Sequence, residues 1–242
     1  MRISRSVAPF FLAALLTAGL AGCASTDAPD TPSAAAEAPA ETTETATAEP
    51  SSAPEKTEAA AESPGSGVTP VWALPTTSPG ELLTSVDGTN FRVDIYQVGT
   101  APATSTGSFV DPETNLPLIE VGDELVYVNY VATNTSTETI KLTALLVDVT
   151  PRYADWPYMQ GMDAIVDRDL YEQMQVNMMA IGTTGAEAPF DWAPGETFSY
   201  GDNFEHQAGS PINFVVGLTP SDDEGELLHD NKEELDAATT IK

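Results

Sequence analysis

Cysteine is all but missing from this chain. Cys23 is the only one in 242 residues, which excludes an intrachain disulfide and any zinc site built on several thiolates. Histidine is nearly as scarce: His206 and His229 stand apart, with no H-E-x-x-H pattern and no metal-ligand spacing around them. Base is in short supply too, nine Lys and Arg against 37 Asp and Glu, for a formal net charge of −28. A field of that sign repels nucleic acid and anionic lipid headgroups, so neither is an expected partner. The G-x-S-x-G elbow, the phosphate-cradling glycine loop and the dinucleotide fingerprint are all absent.

Long apolar runs are also lacking, with one exception. Arg2 and Arg5 are followed by an apolar stretch from Val7 to Leu20 that ends in small residues, the layout of a secretory signal. A spanning helix needs about 20 apolar residues, so this stretch targets the chain and does not cross the bilayer. It closes on Leu20-Ala21-Gly22-Cys23, which resembles the lipobox of bacterial lipoproteins. The resemblance implies a signal peptide over residues 1–22 and a diacylglyceryl group on Cys23. It also implies cleavage before that residue, with the bilayer as partner through the anchor. Two acyl chains hold a protein stably where one holds it marginally, so the expected location is the outer face of the cytoplasmic membrane. The alternative is an ordinary cut after Gly19-Leu20-Ala21 that leaves a free thiol.

Residues 23–70 are mostly Ala, Thr, Ser, Pro and Glu, with no aromatic residue and Val68 as the only branched aliphatic. That composition buries too little apolar surface to offset chain entropy, so a disordered acidic tether is expected. Its prolines argue against a continuous Ala/Glu helix. Reaching roughly 40 Å as a coil, it lifts residues 71–242 off the membrane.

Residues 71–242 have the size of one domain and hold 28 Asp and Glu against six Lys and Arg. Alternation in Phe91–Val98 puts Phe91, Val93 and Ile95 on one face and Arg92, Asp94 and Tyr96 on the other, after a turn at Asp87-Gly88. Val121–Val131 and Thr139–Val149 are β-rich runs, expected to pair as a hairpin across Asn134-Thr-Ser-Thr. Ala193–Tyr200 and Ile212–Thr219 read as a second pair. The Asn134-Thr-Ser sequon is read as serving its turn.

The stretches VGDELVYVNYVATNTS (Val121–Ser136) and WAPGETFSYGDNF (Trp192–Phe204) resemble the immunoglobulin-like domains of secreted actinobacterial lipoproteins, including the telokin-like extracellular type. The expected fold is therefore all-β, an immunoglobulin-like antiparallel sandwich. The departure from that family is a long excursion from Pro151 to Pro194. Its first part is an aromatic-rich loop. Its second is expected to form a short amphipathic helix, with Val166, Leu170, Met174 and Met178 at four-residue spacing.

Two readings of the excursion compete. In one, Tyr153, Trp156, Tyr158 and the methionines form a lid that seals one end of the sandwich. In the other, Arg152, Tyr153, Asp155, Trp156, Tyr158 and Met159 make an exposed partner-binding surface, since Trp, Tyr and Arg dominate interface hot spots and methionine adapts. Asp163, Asp167 and Asp169, and separately Asp222 and Asp223, are candidate calcium ligands, although the second cluster lacks the EF-hand spacing. No other cofactor is expected.

The function that emerges is a non-enzymatic surface binding module for a protein or cell-wall component. A hydrolase, a hydrolase inhibitor or an accessory subunit of a transporter is the alternative. Missing motifs argue only weakly against catalysis, because carboxylate sites carry no fixed spacing.

Overall fold

The computed structural model describes residues 67–182 and 185–242. The signal peptide, Cys23 and nearly all of the tether lie outside the described residues. Among the described residues no helix is long and apolar enough to cross a membrane.

Among the described residues nine strands and one short α-helix follow in chain order: β1 (Glu81–Asp87), β2 (Phe91–Pro102), β3 (Glu124–Asn134), β4 (Ile140–Leu142), β5 (Val147–Tyr153), α1 (Arg168–Gln173), β6 (Phe190–Trp192), β7 (Thr197–Glu205), β8 (Pro211–Leu218) and β9 (Glu233–Thr240). They form a four-stranded sheet, β1-β2-β3-β7, a three-stranded sheet, β5-β8-β9, and a two-stranded ribbon, β4-β6. Every strand pairing is antiparallel. The domain is an all-β sandwich with one short helix.

The alternation in β2 comes out as the sequence predicts: Phe91, Val93 and Ile95 enter the core between the sheets. On the opposite face Asp94, 4% exposed, accepts from Ser85 Oγ at 2.6 Å and pairs with Arg92 Nε at 2.9 Å. That pairing is what makes a buried carboxylate tolerable. The second sheet supplies Val147, Val149, Phe214 and Val216 to the same core, and Tyr130 meets Phe214 across it with ring centroids 6.2 Å apart.

Neither expected hairpin forms. β3 pairs with β2 and β7, and the run after it splits into β4 and β5 at Thr143–Leu146, where Leu146 has φ +52°. β5 then pairs with β8 in the other sheet. Likewise β7 and β8, adjacent in sequence, belong to different sheets. The chain crosses between layers at both places because each run carries apolar residues for both inner faces of one core.

β3 is buried along almost its whole length, and this explains the excursion. Val126, Val128, Tyr130 and Ala132 fill the inter-sheet core, while Leu125 and Tyr127 point outward into a second cluster with Ile165, Tyr171 and Val176. The excursion therefore wraps over the outer face of the four-stranded sheet as a third layer. Tyr171 of α1 meets Tyr127 edge-on at 5.3 Å, and Asn203 accepts from Ile165 N and donates to Ile165 O, both at 2.8 Å. Gly201 permits the approach: a Cβ there would lie 2.4 Å from Val176 Cγ1 of the excursion. The helix is six residues long, and Val166, expected on its apolar face, is 77% exposed ahead of it. Asp167 takes the N-cap position instead, accepting from Asp169 N and Leu170 N.

The folded region starts before residue 71. Thr197 N donates to Val68 O at 2.9 Å, and Trp72 is buried against Phe190 and Phe198. Asn134 is 1% exposed, its amide donating to the carbonyls of Glu138 and Trp192, which is the turn role read for it from sequence.

Candidate functional site

The β2–β3 connection is a protruding arm rather than a tight turn. Leu118 N donates to Phe109 O, Asp111 N to Leu116 O, and Val110 bridges Pro117. At its tip Asp111 closes an Asx turn, accepting from the N–H groups of Glu113 and Thr114. Ile119, 1% exposed, roots the arm in the outer cluster.

The first loop of the excursion lies beside this arm. Arg152 donates through its guanidinium to the Tyr158 carbonyl, Trp156 donates from its indole to Gln160 O at 3.0 Å, and Tyr158 Oη donates to Asp111 Oδ2 at 2.6 Å. Trp156 and Tyr158 are packed edge to face at 5.1 Å. Between loop and arm lies a cleft of about 420 Å³ whose lining includes Asp111, Leu116, Asp155, Trp156, Tyr158 and Glu205.

The cleft's electrostatics come from these bonds. The Tyr158 hydroxyl and the Thr114 amide pull the Asp111 carboxyl down to about 2, so it stays ionised at every physiological pH. The same hydrogen bond raises the Tyr158 phenol. Glu205 moves the other way, its carboxyl raised by burial. No Lys, Arg or His lines the cleft, and Arg152 makes no ion pair among the described residues. Ionised carboxylate beside two aromatic rings, with no base of its own, is an arrangement that takes up a cation.

The structure thus brings Asp155, Trp156 and Tyr158 to one cleft and ties the exposed Arg152 to the loop through the Tyr158 carbonyl. It removes Tyr153 from the surface. That residue ends β5, is 2% exposed, meets Phe204 at 5.6 Å and donates to Glu205 O. Strand alternation in β5 turns it inward, so its share of the proposed binding face is corrected to a core role. Trp156 and Tyr158 are half-buried, and Met159, 97% exposed, is not part of the cleft's lining. Two cleft residues escape sequence reasoning, Asp111 and Glu205. They lie on elements far apart in the chain, and only the Asp-Pro-Glu-Thr-Asn turn at 111–115 offers a local signal.

The acids proposed for calcium are occupied otherwise. Asp163, 5% exposed, accepts from Phe109 N at 3.0 Å, and Asp167 accepts from Thr104 Oγ1 at 2.6 Å. Both therefore latch the arm to the excursion. Asp169 is exposed in the first turn of α1. Asp222 accepts from Glu224 N and Glu226 N, and Asp223 pairs with Lys141 at 3.1 Å. Among the described residues no three His, Cys, Asp or Glu converge as a metal set. Replacing Asp163 with Ala is expected to release the arm, read as faster amide exchange at Phe109 and Leu118; unchanged protection there overturns the latch.

His206 follows β7 directly after Glu205. Its Nδ1 lies 2.7 Å from Glu124 Oε2 and its Nε2 2.9 Å from the Lys242 carbonyl oxygen. It joins the two sheets and offers no nucleophile a base.

No family model and no curated protein matches the chain. Among solved structures, a candidate lipoprotein (ycdA) of Bacillus subtilis is similar at 12% identity and TM-score 0.36, over 67% of this chain and 39% of that one. A protein of unknown function from Listeria monocytogenes is similar at 14% identity and TM-score 0.37, over 68% of this chain and 85% of that one. This chain thus spans well under half the length of the Bacillus protein, and neither likeness transfers a fold assignment or an activity.

Proposed function

We propose that this protein is an extracytoplasmic lipoprotein, held by a diacylglyceryl group on Cys23 at the outer face of the cytoplasmic membrane. Its immunoglobulin-like domain serves as a non-enzymatic binding module for a protein or wall component. The strand pairings support the domain type: β2-β3-β7 and β5-β8-β9 follow the A-B-E and C-F-G neighbours of an immunoglobulin sandwich, with the excursion where strand D would run. The observation that carries the binding role is the cleft, whose aromatic pair is hydrogen-bonded in place and still half-exposed.

Two experiments test this. Cys23→Ala is expected to move the protein from the membrane fraction to the soluble one; a variant as membrane-bound as the parent defeats the anchor. Trp156→Ala with Tyr158→Ala is expected to abolish retention on wall and membrane fractions while lowering Tm by no more than about 5 °C, as for half-buried side chains. Early unfolding of that variant, or undiminished retention, defeats the site.

One observation favours a hydrolase as the second reading. Asp111 and Glu205, both lining the cleft, are driven in opposite directions, the pattern by which carboxylates divide base and acid roles. Turnover in a hydrolase screen that disappears with both Asp111→Asn and Glu205→Gln would replace the binding module with an enzyme.

A further inference from the structure

We infer that the cleft between the arm and the excursion receives a lysine or arginine side chain from an extended, basic segment of a protein partner. This rests on the binding role proposed above and specifies its chemistry.

The occupant is dictated by what the cleft contains and what it lacks. Among the described residues Asp111 and Asp155 have no basic counter-ion; they line opposite walls, and Glu205 lies on strand β7. Elsewhere the structure spends its few bases on carboxylates: Arg92 on Asp87 and Asp94, Lys141 on Asp191 and Asp223, Lys232 on Glu234. Arg152, the base nearest the cleft, is turned instead to a backbone carbonyl. Among the described residues, then, no base neutralises the cleft.

Trp156 and Tyr158 narrow the class further. A bare metal ion wants several oxygens and gains nothing from rings, and no metal set converges among the described residues. An ammonium or guanidinium gains from both, ion-pairing with the carboxylate while its alkyl stem lies on the ring faces. The rings are fixed before binding, because each donates a hydrogen bond, Trp156 to Gln160 O and Tyr158 to Asp111. Little side-chain entropy remains to be lost on contact. A cleft of about 420 Å³ exceeds one cationic side chain and leaves room for the backbone on either side of it. Leu116, 57% exposed, lines the cleft with Pro117 and Pro157 as apolar rim for the neighbouring residues of such a segment. A free small amine would leave that rim uncovered.

The test uses the intact chain in mild detergent, with extended peptides as probes: alternating Lys-Ala, its Nε-acetylated counterpart, and alternating Arg-Ala. Tryptophan emission reports on the cleft, because Trp72 and Trp192 are buried and Trp156 is not. The expected result is saturable binding of the Lys and Arg peptides with a change in emission, and at least tenfold weaker binding of the acetylated peptide. Asp155→Asn with Glu205→Gln should weaken binding by about tenfold or more. Glu224→Gln with Asp230→Asn, which removes the same charge from exposed positions elsewhere, should change it less than threefold.

Equal loss in both pairs of variants would show attraction to the overall field and overturn the inference. So would equal binding of the acetylated peptide, stronger binding of free lysine methyl ester than of the peptide, or no binding at all. Retention on wall and membrane fractions separates the two levels. If Trp156→Ala abolishes retention but the basic peptide does not compete, the cationic occupant is wrong and the binding module stands. If Trp156→Ala leaves retention intact, the module itself is wrong.

Discussion

Trp192→Ala should cost about 3–5 kcal/mol, the upper range for truncating a buried aromatic, and lower Tm by roughly 10 °C or more. Trp192 is wholly buried in β6 and packs on Phe198 with ring centroids 5.2 Å apart. Its indole donates to Glu196 O at 2.9 Å, and its own carbonyl accepts from the Asn134 side chain at 2.7 Å. Trp72 leans on Phe190 and Phe198 in the same group, so the residue joins the first folded segment, the β4-β6 ribbon and the four-stranded sheet. Trp192→Phe keeps most of the volume and loses only the indole bond, for which about 1 kcal/mol is expected. Chemical denaturation of the two variants decides it. A Trp192→Ala protein within 1 kcal/mol of the parent would mean that this corner is not part of the cooperative core.

Much of this corner is legible in the sequence. A Pro-Gly-Glu turn between Trp192 and Phe198 announces a strand, and the alternation of β2 and β8 identifies their inner faces residue by residue. Pairing is not legible. Strands adjacent in sequence read as partners because hairpins are the commonest local solution, yet β3 to β5 and β7 to β8 are crossings between sheets. The information that decides this is the demand of a common core, which no short window carries. β9 escapes notice for a different reason. Glu233–Thr240 holds no branched aliphatic or aromatic residue except Leu235, so its β-propensity is low, and it is a strand because β8 offers it a full ladder from Pro211 to Leu218.

The site is half legible. Trp156 and Tyr158 draw attention because aromatics in a long loop are seldom idle, and the structure keeps both at a cleft. Tyr153 looks like their companion, but three positions before Trp156 the chain is still in β5 and the alternation of that strand points the ring inward. The other wall, Asp111, lies 47 residues upstream of its hydrogen-bond partner Tyr158. Amid 28 acids in the domain, the turn it closes is the one local mark on Asp111, and its phenol partner shows only in three dimensions. The acidic clusters at 163–169 and 222–223 stand out in the sequence for their abundance of carboxylates alone. Abundance hides that Asp163, Asp167 and Asp222 are acceptors for nearby backbone and hydroxyl donors.

Domain stability should rise as pH falls from 8 to about 5, and Asp202→Asn should remove most of that rise. Asp202 is on β7 opposite Val128, between Tyr200 and Phe204, on the side of the sheet that faces the core. Its hydrogen bond comes from the adjacent Asn203 N–H at 2.9 Å, and it makes no ion pair among the described residues. It lines a recess of about 140 Å³ with Val149, Pro151 and Met162. Burial pushes its carboxyl up to about 6 from the ordinary 3.8, with the Asn203 bond opposing. The fold thus prefers the protonated form. Its contribution is fully present below pH 4, where the unfolded chain is protonated too, and is lost as pH rises through about 6. A shift of about two pK units corresponds to on the order of 2–3 kcal/mol above pH 7. An uncharged amide of the same shape avoids that penalty, so Asp202→Asn should gain several degrees in Tm at pH 7.5 and almost none at pH 4. Relief of repulsion among the domain's many carboxylates also favours low pH, but it is screened by salt, whereas desolvation of one buried carboxyl is not. Melting curves from pH 4 to 8 in 0.5 M NaCl isolate the buried group, with exposed Asp230→Asn as the variant that loses one charge and no burial. Parallel curves for the parent and Asp202→Asn, separated by a constant offset, would show that Asp202 is ionised in the fold at every pH and that its recess is wet.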